Sequence, residues 1–207
     1  MRVAPAALAA TLLLAGCQRL PPVLDLAGGT CDAAPALGNA VPVPYGEVRG
    51  ARITVAAGAP CLNLDQGKAT YAVFALPGSP APYRITVRSI ASGAGIIWPD
   101  AVILTADGRS RARMTDVRTA AGSIVATTRG ESADRYLLVR SSPRTIGTTA
   151  DIPTAGDPPP IRVAATVFIP IFVPPPGPLG PTASKVQATL AHSGTIIVSA
   201  MPYLTVP

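Results

Sequence analysis

The sequence predicts an all-β protein folded as a single antiparallel β-sandwich. Three observations predict it. The apolar runs are short, four to seven residues, and each stops at a turn signal. The chain is only 14% charged and holds 24 prolines and 19 glycines, a composition that disfavours long helices and suits short strands between many turns. No window shows the 3.6-residue apolar period of an amphipathic helix. Strands of that length and spacing are those of a jelly-roll or immunoglobulin-like sandwich.

The chain opens with Met1-Arg2-Val3, a short cationic start, and an Ala/Leu run from Ala6 to Ala15. That run is about half the twenty residues needed to cross a bilayer. It has the length of a signal-peptide apolar region. It ends in Leu14-Ala15-Gly16-Cys17, which resembles the lipobox of bacterial lipoproteins. The resemblance implies removal of residues 1–16 and lipidation of Cys17, so that the partner at this end is a membrane. Gln18, in place of the Asp that retains lipoproteins in the inner membrane, implies the periplasmic side of the outer membrane.

The chain has three cysteines, Cys17, Cys31 and Cys61. With Cys17 lipidated, Cys31 and Cys61 remain in an oxidising compartment, where a disulfide between them persists. The bridge closes a loop of about thirty residues, which chain entropy values at roughly 3.5 kcal/mol. Two unpaired buried thiols are the alternative.

Residues 17–44 hold Pro21-Pro22, Gly28-Gly29, Pro35, Pro42 and Pro44, and read as an extended tether leading to a domain over 45–207. Within that domain Arg52-Ile53-Thr54-Val55 alternates. The run 71–76 is continuously apolar and stops at Pro77-Gly78. The run 83–88 alternates, with Tyr83, Ile85 and Val87 on one face. Ala101-Val102-Ile103-Leu104 stops at Asp107-Gly108. Ser123-Ile124-Val125-Ala126 and Tyr136-Leu137-Leu138-Val139 follow. Alternating strands have one wet face, whereas continuous apolar strands are covered on both. A proline-rich insertion, 151–181, carries ten prolines. The β-prone run 161–173 lies within it, broken by Pro170, and reads as a strand folded back on the core or as a docking surface. Thr195-Ile196-Ile197-Val198-Ser199 then pairs back onto the domain.

Fifteen of the seventeen cations are Arg, against eleven acidic residues. The excess favours anionic surfaces, but it is scattered and equally reflects codon bias. Nucleic acid is not expected as a partner of an exported lipoprotein. Three arginines stand apart: Arg109, Arg111 and Arg113 recur every second residue after the Asp107-Gly108 turn. In an extended strand they share a face, about 7 Å apart. They either grip anions with planar forks or protect a solvated strand edge. Trp98 either stacks on a sugar ring or fills the core or its rim.

Catalytic patterns are scarce. The one histidine, His192, precedes Ser193 in what reads as a solvated turn. No nucleophile elbow, phosphate loop or calcium loop occurs. No His lies near Cys31 or Cys61, so no metal or cofactor is expected. Asp100, Asp107, Glu131 and Asp134 have plain turn or strand-end readings, although separated carboxylates could still form a hydrolase site.

The segments 71–77, 83–89, Pro99-Asp100-Ala101-Val102-Ile103-Leu104 with Asp107-Gly108, and 134–142 resemble the maltose-operon periplasmic protein family. The resemblance covers roughly residues 45–152. It implies a non-catalytic periplasmic protein associated with maltodextrin-type carbohydrate uptake. The lipobox, the cysteine pair and the segment 151–181 depart from that family. The expected partners are thus a carbohydrate or, alternatively, an envelope protein for which this chain is an adaptor.

Overall fold

Among the described residues each alternation or apolar run read as a strand forms one, and further short strands join them. The computed structural model describes residues 26, 29–92, 95–154 and 185–203. Among them β1 spans Val41–Pro42, β2 Ala51–Val55, β3 Cys61–Leu64, β4 Gly67–Ala75, β5 Tyr83–Ile90, β6 Gly95–Ile96 and β7 Pro99–Leu104. Next come β8 Ser110–Arg113, β9 Val117–Ala120, β10 Ser123–Gly130, β11 Tyr136–Ser141, β12 Thr149–Pro153, β13 Lys185–Leu190 and β14 Gly194–Pro202. Two single-turn 3-10 helices, Leu37–Asn39 and Pro143–Thr145, are the helical content of these residues.

Sheet 1 runs β1-β4-β11-β7-β8, with β3 also paired to β4; sheet 2 runs β2-β14-β5-β10-β9; sheet 3 runs β12-β13-β6. Pairing is antiparallel except for β1 with β4 and β13 with β6. The fold is therefore an all-β sandwich whose sheets stay open. Sheets 1 and 2 enclose the main core, where Phe74, Ile103, Leu137 and Val139 meet Tyr83, Ile85, Val87, Ile196 and Val198. β5 keeps its predicted alternation, with Tyr83, Ile85 and Val87 buried while Arg84 and Arg88 are exposed. β7 is buried at every position, as a continuous apolar run requires. β14 fills the gap between β2 and β5, so the last strand does pair back onto the domain, at an interior position.

The outer face of sheet 1 is also apolar. Leu62, Tyr71, Val73, Val102, Leu104 and Leu138 form a second cluster, and Leu37, Ala40 and Leu64 pack on it. The expected tether is thus part of the domain from about residue 30. Asp32 N–H donates to Cys61 O at 2.8 Å, Asn63 N–H donates to Asp32 O at 3.0 Å, and Val43 is buried in the main core. The reason is elementary: an apolar sheet face needs a cover, and these residues supply it. The Cys31–Cys61 disulfide is present, with Cα atoms 4.8 Å apart, and fastens this cover to β3.

A third cluster, Ile96, Ile124, Ile152 and Leu190, joins sheet 3 to β10, with Trp98 packed against it. β12 and β13 form an antiparallel pair that closes at Pro153 opposite Lys185. The chain between these two residues contains the run 161–173, which lies outside the described residues, as do the signal segment and Cys17. No helix among the described residues is long and apolar enough to cross a membrane.

Gly50 precedes β2 at φ +63°, and a Cβ there would sit 2.3 Å from the carbonyl oxygen of Val198. Gly46, at φ +78°, has open space around it. Gly50→Ala should therefore destabilise the domain by several kcal/mol, whereas Gly46→Ala should lose only about 1 kcal/mol from backbone strain. Urea denaturation of both variants checks this, and equal losses would refute the crowding at Val198.

Candidate functional site

β8 is the free edge of sheet 1, and its alternate residues Arg111 and Arg113 each engage a different buried carboxylate. Arg113 donates Nε–H to Asp100 Oδ1 and Nη2–H to Asp100 Oδ2, both at 2.7 Å. Arg140, opposite Asp100 in the β11–β7 register, donates Nε–H to the same Oδ2 at 2.7 Å. Asp100 is buried, so two guanidinium groups converge on one desolvated carboxylate. Arg111 makes a fork to Asp134, which is fully buried and also accepts the N–H of Glu131 at 2.7 Å. The hydrogen bond to Asp134 raises the Arg111 pKa further above its already high value. Arg109 pairs with Asp107 at 2.9 Å with both side chains exposed. The Thr105 hydroxyl holds the Asp107 carboxyl below its usual range.

The predicted arginine row is thus split by its partners. Arg111 is forked onto the internal carboxylate of Asp134, and its Nη1 lies 3.9 Å from Glu131 Oε2. Arg109 is a solvated turn residue. Arg113 Nη1 has no acceptor among the described residues, and Arg113 borders a cavity of about 440 Å³ with Asp100, Arg140 and Arg144. The β3–β4 turn, Asp65 and Gln66, forms another wall, and Leu64 and Pro143 add apolar surface. Arg140 and Arg144 were not legible as site residues. The one signal was an arginine closing the apolar strand Tyr136-Leu137-Leu138-Val139, on the side that Leu138 shares.

The remaining candidates sit elsewhere. Trp98 is half-buried and packs on the Ile96 cluster, at the rim of the core. His192, expected in a solvated turn, is buried. Its Nδ1 lies 2.8 Å from Ser141 Oγ, and Thr70 Oγ1 donates to His192 O at 2.6 Å. Thr70 N–H also donates to Ser141 Oγ at 3.1 Å. Ser141 is wholly buried, so this histidine–serine contact braces β4, β11 and the β13–β14 turn. His192 is buried because Ala191-His192-Ser193 is the short connection between β13 of sheet 3 and β14 of sheet 2. Among the described residues no group of three or more His, Cys, Asp or Glu could hold a metal ion. A second cavity, about 380 Å³, lies between the N-terminal cover, β2 and β4.

No protein-family model matches the chain, and neither does any curated protein or solved structure.

Near Asp134, the Tyr83 ring lies in the main core with Gly130 opposite it on β10, where a Cβ would come within 2.6 Å of the ring. Tyr45 meets Tyr83 edge to face with centroids 6.0 Å apart. The Tyr83 hydroxyl is buried without a hydrogen-bonding partner among the described residues. Desolvation, aided by Asp134, pushes its pKa up to about 12.

Two expectations follow from these charges. Arg111→Ala strands the fully buried Asp134 carboxylate and should destabilise the fold by about 3–5 kcal/mol. Arg109→Ala, at an exposed pair, should change stability by less than about 1 kcal/mol. Chemical denaturation of the two variants compares them, and equal effects would contradict the assignment. The Tyr83 phenol, in turn, ionises higher in the folded state than in the unfolded chain. The unfolded state therefore holds fewer protons between pH 10 and 12, and stability falls as pH rises through that window. Tyr83→Phe should be neutral or stabilising at pH 7, since it removes an unsatisfied polar group. It should also lose the Tyr83 share of the alkaline decline, on the order of 2 kcal/mol by pH 12. Denaturation curves at pH 7, 10 and 11.5 test both parts; a strongly destabilised variant at pH 7 would show that the hydroxyl has a partner.

Proposed function

We propose that the chain is a non-catalytic, lipid-anchored protein of the cell envelope, held on the periplasmic side of the outer membrane, that assists carbohydrate binding or uptake. The observation that carries this reading is the Cys31–Cys61 bridge. A disulfide suits an oxidising compartment, and its formation leaves Cys17 as the one cysteine outside it. Cys17 is the residue the lipobox resemblance marks for acylation. The chain meets the domain ahead of the bridge, where Lys68 Nζ donates to Leu26 O at 3.0 Å and to Gly29 O at 2.8 Å.

The carbohydrate part of the reading rests on the resemblance of residues 45–152 to the maltose-operon periplasmic family. A polar cavity of about 440 Å³ on the outer face of sheet 1 is compatible with it, being within the usual range for small-ligand sites. An adaptor role is the second reading. It is favoured by Tyr45, Val48 and Tyr203, which expose apolar surface around the end of β14.

Cys17→Ser should release the protein from membranes after a salt wash while its melting temperature stays unchanged. Fractionation of cells expressing either form makes the comparison, and a variant that still sediments with membranes defeats the anchor reading. A glycan-array screen of the detergent-purified chain tests the carbohydrate reading separately. Pull-down of an envelope protein with a blank array would favour the adaptor.

A further inference from the structure

The cavity beside Asp100 has an uneven charge. Asp100 is one carboxylate held by two guanidinium groups, so one positive charge there is uncompensated. Arg144, exposed on the 3-10 turn after β11, lines the same cavity and has no acceptor among the described residues. Asp65, at the tip of the β3–β4 turn, lowers the balance: three arginines against two aspartates leave a single net positive charge.

The arginines are also positioned before any ligand arrives. Arg140 is only 19% exposed, and its Nε is fixed on Asp100, leaving both Nη groups without a protein acceptor among the described residues. Arg113 is fixed through Nε and Nη2, leaving Nη1. Guanidinium donors held this way suit a planar carboxylate. Between the arginines and the β3–β4 turn, the other walls offer Asp65 and Gln66 as hydroxyl partners and Leu64 and Pro143 as apolar faces. Hydroxyl-bearing rings with C–H faces need that mixture.

The geometry points to an acidic saccharide as the ligand of this cavity, its carboxylate received by Arg113, Arg140 and Arg144 and its hydroxyls by the β3–β4 turn. The inference rests on the carbohydrate reading above and names the class of sugar. One uronate residue, with its single carboxylate, matches the single net charge, and the other carboxylates of an oligomer lie beyond the cavity. A phosphate dianion would place two charges at one point and would face Asp65.

The test uses the full chain purified in detergent, with tri-galacturonate, maltotriose and inorganic phosphate as probes in isothermal titration calorimetry. Saturable binding of tri-galacturonate is expected, with phosphate a poor competitor. Arg144→Gln should weaken that binding at least tenfold without lowering the melting temperature, because Arg144 makes no ion pair among the described residues. Arg129→Gln, at an exposed strand residue away from the cavity, should leave it unchanged. Tri-galacturonate affinity that is insensitive to Arg144→Gln overturns the inference, as does phosphate that displaces the saccharide at equal concentration. Binding of maltotriose alone also overturns it and leaves the broader carbohydrate reading standing. Binding of neither saccharide overturns it, and together with a blank glycan array removes both.

Discussion

Sheet 1 is apolar on both faces, and it must therefore be covered twice. One cover is sheet 2, through the core around Phe74, Leu137 and Ile103. The other is the N-terminal segment, through Leu37 and Ala40 over Tyr71, Val102 and Leu138. Each buried Val, Leu or Tyr-sized side chain contributes roughly 1.5–3 kcal/mol relative to exposure, so leaving the second face bare is not a minor defect. This requirement explains why a stretch rich in proline and glycine is folded down at all. It also explains the position of the disulfide. The cover has little secondary structure of its own, and a cross-link at its start removes much of the entropy that would favour its release.

Charge is placed where the apolar cover ends. The chain has few acidic residues, yet two of them, Asp100 and Asp134, are buried at the β7–β8 side of sheet 1. Each is matched by arginine from β8, so the edge strand is attached by side chains as well as by its ladder to β7. Buried pairs of this kind add little net stability over an apolar substitute, but losing one partner is severe. Their effect is specificity. They fix which face of β8 turns outward and hold Arg113 and Arg140 in one orientation beside the open cavity. A free edge that presents arginines is also protected against pairing with another chain.

The strands were legible wherever one residue type dominated a face. Tyr83, Ile85 and Val87 announced β5, and the unbroken runs 71–76 and 101–104 announced strands buried on both sides. The strands β1, β3, β6, β9, β12 and β13 are not legible: β1, β6 and β9 have no apolar run or alternation, and in β3, β12 and β13 only two or three small or aliphatic residues carry one. Their pairing comes from neighbours distant in sequence, as with β6 on β13. The arginine row was visible, but its partners were not. Asp100 and Asp134 lie 13 and 23 residues from the arginines they bind. No local pattern distinguishes a carboxylate that accepts a fork from one that caps a turn. The burial of His192 is illegible for a similar reason, since its partner Ser141 lies 51 residues away. The cavity needs β3, β7, β8, β11 and the turn after it at once, and only the assembled sheet brings them together.

The bridge between Cys31 and Cys61 has a mechanical side. Tension applied at the N-terminus reaches Cys31 and passes through the sulfur pair to Cys61, at the head of β3. The chain between the two cysteines, including Leu37, Ala40, β1 and β2, then lies off the load path. Traction cannot peel it from the sheet it covers. Reduction of the bridge would reroute the same force along that stretch and strip the cover first. A pull that the oxidised protein withstands would, in the reduced protein, uncover the outer face of sheet 1. While the bridge is intact, the chain responds to traction as though it began at Cys61.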